Sequence, residues 1–151
     1  MAISAAEPAY DPGQPPVSLL YAVKQVELAI RARLDDLLKP ADITVLQYTA
    51  LTVLERHDGL SAAELARRSF VTAQSMADLV GSLESRDLIR RERNPRNRRE
   101  RLIFLTGAGR QLLADYLGPV TTLEHRMVRD LTPRQASELR KALAAAWHAL
   151  S

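Results

Sequence analysis

The chain contains no cysteine. That excludes disulfides, a Cys-ligated metal, a thiol nucleophile and any thiol-based redox switch, peroxide sensing included. It also lacks any apolar run of 18 or more residues, so no membrane-spanning helix and no membrane partner are expected. The opening MAISAAEPAY has neither a basic n-region nor an apolar h-region. No secretory signal is expected, and a cytoplasmic location is the default. Histidine is scarce: His57, His125 and His148 are the only three, and they fall on three separate predicted helices. His57 neighbours Asp58, but adjacency alone makes no proton relay. No two histidines share a helical turn, as a helical metal site would require. There is no nucleophile elbow or phosphate loop, and Gly107-Ala-Gly109 lacks the context and third glycine of a dinucleotide fingerprint. The expectation is therefore a protein that is not an enzyme and needs no cofactor and no metal.

What is present is enough for one compact domain: 151 residues, 46% hydrophobic and 26% charged. The formal charge of +3 is unevenly placed. Between Arg86 and Arg101 eight arginines face only Asp87, Glu92 and Glu100, so 16 residues carry +5 and the remainder sums to −2. One basic patch, rather than a generally basic chain, predicts an anionic partner, with nucleic acid the first candidate. The competing reading is a solvated charged turn.

Residues 1–16 hold four of the eight prolines and show no periodicity, which reads as a flexible arm. From Val17 the pattern is helical, with Leu20, Val23, Ile30, Leu34 and Leu37 on one face and Pro40 closing the segment. Three helix starts carry the capping-box pattern: Thr44 with Gln47, Ser61 with Glu64, and Thr132 with Gln135, the last with proline at the first helical position. Gly59 is placed to end the helix begun at Thr44. The Ser61 helix is short, ending near Ser69, and Thr72 caps another with Met76, Leu79, Val80 and Leu83 as its stripe. Apolar pairs around Asn94-Pro-Arg-Asn97 predict a two-stranded hairpin with arginines clustered at its tip. A long helix follows from Thr106 to about Arg129, interrupted or bent near Gly118-Pro119, and a last helix runs from Pro133 to about Ala149.

Helix, helix, turn, helix and basic hairpin is the order of a winged helix-turn-helix. Three stretches carry a closer likeness: Leu83-Glu84-Ser-Arg-Asp-Leu88, the paired Arg98-Arg99, and Leu105-Thr106-Gly-Ala-Gly109. Together they resemble the MarR family of bacterial transcription regulators over roughly residues 17–150, leaving the proline-rich arm outside. Two positions depart from the family pattern. Asn97 stands where an acidic residue usually steadies the second arginine, and Asp78 where many relatives are basic. The resemblance implies a mainly α fold with a small β-hairpin wing. The winged helix-turn-helix would span about 44–105, and dimerisation helices about 17–39 and 106–150.

The resemblance and the general geometry of groove reading assign the jobs. A recognition helix presents its N-terminal side chains to base edges, which selects Thr72, Ala73, Gln74 and Ser75. Gln74 suits a bidentate pair with adenine and Ala73 a thymine methyl, while Thr72 also reads as a plain helix cap. Arg96, Arg98 and Arg99 are the wing candidates for the minor groove or its flanking phosphates. Arg90, Arg91 and Arg93 lie on a strand whose alternation turns at least one away from DNA. Leu19, Leu20, Leu112, Leu113, Tyr116, Leu117, Leu123, Leu139, Leu143 and Trp147 supply more apolar surface than the small head needs. In the family the terminal helices make an obligate homodimer, which would set two recognition helices ~34–36 Å apart on a near-palindromic operator in double-stranded DNA. Relatives often bind small phenolic or aromatic ligands, for which Tyr21 and Tyr48 are candidates, although both also read as ordinary core tyrosines. The expected function is sequence-specific transcriptional regulation, as a repressor. Nonspecific DNA binding and a winged-helix interaction module are the alternatives.

Overall fold

The computed structural model describes residue 13 and residues 15–151. The expected flexible arm therefore lies almost wholly outside the described residues. Ser18 caps the first helix, α1 (Leu19–Leu38), by accepting from the Tyr21 N–H. A 3-10 turn, Lys39–Ala41, and a left-handed Asp42 lead into α2 (Val45–Arg56). The Thr44 capping box forms in full: Gln47 N–H donates to Thr44 Oγ1, and Thr44 N–H to Gln47 Oε1. Thr132 and Gln135 do the same for α6 (Pro133–Leu150). The third expected box is only half made. Ser61 Oγ caps α3 (Ala62–Arg68) by accepting from the Glu64 N–H, with no return bond from the Ser61 N–H to the Glu64 carboxylate.

The sheet corrects a further expectation. Hairpin strands β2 (Ile89–Asn94) and β3 (Asn97–Leu105) pair as predicted, but β1 (Leu60–Ser61) adds antiparallel to β3, giving three strands in the order β1-β3-β2. Gly59 makes the entry, with φ +77 and its N–H donating to the Ile103 carbonyl. A Cβ there would press on the Phe104 ring. So the strand and the cap share Ser61, which lies between two elements with no room for a periodic signal.

α4 (Ala73–Ser85) starts at Thr72 and buries Met76, Leu79, Val80 and Leu83, the stripe read from the spacing. α5 (Gly107–Met127) runs unbroken through Pro119, where an interruption was one expectation. Its start explains one sequence signature. Thr106 Oγ1 accepts from Gly109 N–H and donates to the Asp87 carbonyl, while a methyl on Gly109 would overlap the Leu88 carbonyl oxygen. Only a glycine lets α5 approach the start of β2 this closely.

A single core spans residues 43–113, built from α2, α3, α4, the sheet and the first turns of α5. Leu38 is the only buried residue of α1, and α6 has none. Among the described residues no helix is long and apolar enough to cross a membrane.

Candidate nucleic-acid interface

α3 and α4 pack as a helix-turn-helix, and the first turn of α4 is open to solvent: Thr72, Ala73, Gln74 and Ser75 are all exposed. Thr72 and Ser75 are engaged with each other. Ser75 N–H donates to Thr72 Oγ1 at 3.2 Å, and the Thr72 hydroxyl donates to Ser75 Oγ at 3.0 Å. The capping role of Thr72 is thus plain. Gln74 has no side-chain partner among the described residues, so its amide is free to meet an incoming base edge. The far end of α4 is tied down. Arg86 donates to the Ala41 and Asp42 carbonyls at 2.6 Å each, and Gln47 Nε2 donates to Ser82 Oγ at 3.1 Å.

The eight arginines divide into two sets. Arg91 lies on the sheet face turned to α4 and makes a two-pronged pair with Glu84 at 2.7 and 2.9 Å. Hydrogen bonds from Arg91, and then its charge, hold the Glu84 carboxyl below the usual carboxylate range. Arg90 points to the opposite face, where it lies 5.0 Å from the Phe104 ring centroid, pairs with Glu92 and donates to the Leu105 carbonyl. Arg101 donates to the Arg91 carbonyl and Arg86 forms the clamp above. These four hold the scaffold together. Arg93, Arg96, Arg98 and Arg99 have no side-chain hydrogen bond or ion pair among the described residues, and all four are exposed. Glu84 in the Leu83-Glu84 signature therefore belongs to scaffold chemistry, with Leu83 and Leu88 both buried beside it.

The tip is tighter than the sequence suggested. Asn94 pairs with Asn97, so the turn is Pro95-Arg96, and Arg98 and Arg99 sit on the first residues of β3 rather than in the loop. Asn94 fastens the turn by donating to Glu100 Oε2 and accepting from Arg96 N–H. Asn97 Oδ1 accepts from Arg99 N–H at 3.2 Å, fixing the backbone where an acidic residue would hold the guanidinium. The register is irregular between Arg93 and Asn94, and Arg98 and Arg99 have different surroundings. Arg99 lines a groove of about 340 Å³ with Ala62, Ala63, Ala77 and Arg101, whereas Arg98 is outside it. The wing and α4 thus flank one hollow with unpaired positive charge on its rim.

The two candidate ligand tyrosines are apart in character. Tyr48 packs against the head core, where burial and then the Glu55 charge push its phenol above the usual range. Tyr21 is exposed on α1. Neither lines the apolar groove of about 810 Å³ formed by α1, the start of α2, Met127 of α5, and Leu139 and Leu143 of α6.

The sequence model described as MarR family matches residues 41–100. Over 123 residues the chain is 29% identical to an HTH-type transcriptional repressor of Mycobacterium tuberculosis, covering 82% of this chain and 88% of that one. It is also similar to the transcriptional repressor CouR bound to a 23-mer DNA duplex. That likeness has a TM-score of 0.78 and 28% identity, and covers 85% of this chain and 92% of the other. MepR of S. aureus in its DNA-binding conformation shares the fold at a TM-score of 0.80 and 23% identity, over 89% of this chain and all of that one.

Proposed function

The chain belongs to the MarR family of DNA-binding transcription regulators, and from that premise we propose that it is a cytoplasmic repressor acting as a homodimer on a near-palindromic operator. The observation that carries the reading is the division of the arginines. Four are fixed in internal bonds, and four, Arg93, Arg96, Arg98 and Arg99, are left to solvent on the hairpin, where Arg99 shares a groove with Ala77 and Val80 of α4. A charged turn that merely dissolves the protein needs no such sorting. Arg96, Arg98 and Arg99 act on phosphates or the minor groove, and Gln74 with Ala73 on base edges, while Thr72 and Ser75 shape the helix start.

Dimerisation through α1, the second half of α5 and α6 is supported by their uncovered apolar side chains, among them Leu19, Leu20, Leu117 and Leu143. A two-fold axis through these helices repeats the reading surface about one turn of DNA away. Release by a small aromatic ligand completes the reading, supported by the part of the apolar groove lined by Ile30, Leu34, Val45 and Leu46. Such a ligand must favour the arrangement that does not bind DNA.

Selection of bound fragments from a random duplex pool tests the proposal. An inverted repeat is the expected product. A pool that returns no preferred sequence supports nonspecific binding, and failure to retain DNA at all supports an interaction module. Light scattering at micromolar concentration completes the test, since a clean 16.8 kDa monomer would remove the operator geometry.

A further inference from the structure

Among the described residues three non-glycine positions have left-handed backbone: Asp42, Asp87 and Phe70. Aspartate tolerates that region because its short side chain bonds locally, whereas a bulky aromatic has no such compensation. Phe70 (φ +61) occupies the turn between α3 and α4, two residues before the Thr72 cap. It is no core residue either, being 68% exposed. What its ring meets is Trp147 near the end of α6, edge to face, with centroids 5.1 Å apart and planes at 79°. Trp147 is itself 59% exposed and stands on a helix with no buried residue. A glycine would serve the turn better and leave less apolar surface in water. The aromatic at this position therefore serves the contact it makes with α6.

We infer that Phe70 and Trp147 are positioning residues for DNA recognition, which bridge the terminal helix to the start of the recognition helix and so hold the two reading heads of the dimer at one separation. The inference rests on the homodimer reading above. The bridge reaches the chain immediately before the exposed Thr72–Ser75 turn, so a tilt of α6 is passed to the base-contacting end of α4. At the opposite end α4 is anchored by Arg86 and Ser82. Neither aromatic is charged, so the bridge affects geometry and leaves phosphate attraction unchanged.

The test uses half-sites that the wild-type protein selects from a random duplex pool, presented singly, as a pair at the selected spacing, and as a pair moved apart by a few base pairs. An edge-to-face pair shifts an equilibrium by roughly two- to tenfold, and a dimer has two. Phe70→Gly and Trp147→Ala are each expected to lose about tenfold in affinity for the correctly spaced pair, to discriminate less against the altered spacing, and to bind the single half-site as before. Trp147→Phe, which keeps a ring in place, restores the spacing preference. Phe70→Gly relieves the left-handed strain, so its thermal midpoint should hold or rise while its spacing preference falls. A drop in the midpoint in step with affinity would mean ordinary packing and overturn the inference. Trp147 is the only tryptophan of the chain, so its emission reports the contact directly, and Phe70→Gly should shift it to the red. Unchanged emission, or equal losses on single and paired sites, would overturn the inference with the dimer intact. A wild-type protein with no spacing preference would instead overturn the dimer reading beneath it.

Discussion

Residues 43–113 and the terminal helices α1 and α6 are built on opposite terms. The first region closes on itself: its apolar stripes meet in one core, and half of its basic cluster is matched to carboxylates, carbonyls or a ring. The terminal helices have equally regular stripes with almost nothing against them, and of their apolar residues only Leu38 is buried. α6 touches the head through the Trp147–Phe70 pair, and its ion pair from Arg140 reaches Glu124 of α5. One region thus covers its own apolar faces and the other leaves them uncovered. Apolar patterning alone does not tell them apart, because it reports that a face will be covered and not by what.

The comparison breaks most visibly under truncation of equivalent leucines. Leu83→Ala, in the head core, should cost about 2–5 kcal/mol of stability by thermal or denaturant unfolding. Leu143→Ala on α6 should cost the isolated chain under about 0.5 kcal/mol and instead raise the dimer dissociation constant, read by light scattering on dilution. Equal effects would erase the distinction. Gly109→Ala comes next. It lies where α5 leaves the head, and forcing a methyl against the Leu88 carbonyl should destabilise by about 1–3 kcal/mol, whereas Gly118→Ala in open space on the same helix should not.

Within the head, the wing and α4 should separate by salt. Replacing Arg98 and Arg99 with alanine should weaken binding to all duplexes. The log–log salt slope should fall by ~1.8 if one phosphate contact is lost per subunit of a dimer. Gln74→Ala should leave the slope alone and lose ~1–3 kcal/mol of discrimination at one base pair per half-site. Competition titrations at several salt concentrations on selected and scrambled duplexes measure both. The smallest effect is expected at Glu84–Arg91. Its bonds lower the Glu84 pKa in the folded chain relative to about 4.5 unfolded. The stabilisation is therefore complete above that pH and is lost as pH falls through the depressed value. Both side chains are about a third exposed, so solvent limits the pair to no more than ~1 kcal/mol. The difference in unfolding free energy between wild type and Glu84→Gln should shrink below pH 4.5.

Legibility followed the range of the forces involved. Helix starts were readable because a cap is a bond between residues three apart, and Thr44, Thr72, Thr106 and Thr132 all accept from the residue three positions on. The hairpin was readable because turn formers sit between apolar pairs. β1 was not, since two residues have no period and their partners lie some forty positions away. The sorting of the arginines was equally hidden. Nothing adjacent to Arg86 indicates that it will hold Ala41 and Asp42, or that Arg91 rather than Arg93 will find Glu84. The turn at Phe70 was invisible for a third reason. Left-handed backbone is announced by glycine, and here no glycine stands there.

Pro119 lies inside α5 between the half that belongs to the head, where Gly109 and Leu113 are buried, and the half that reaches α6 through Glu124. Having no amide hydrogen, it leaves the Asp115 carbonyl without its helical donor and crowds it with the ring. In mechanical terms α5 is a beam notched where load passes from one region to the other. Torque applied at α6 bends the beam at the notch and reaches the head attenuated. The Phe70–Trp147 contact runs in parallel with that notch, so α6 is joined to the head at two places and not through α5 alone.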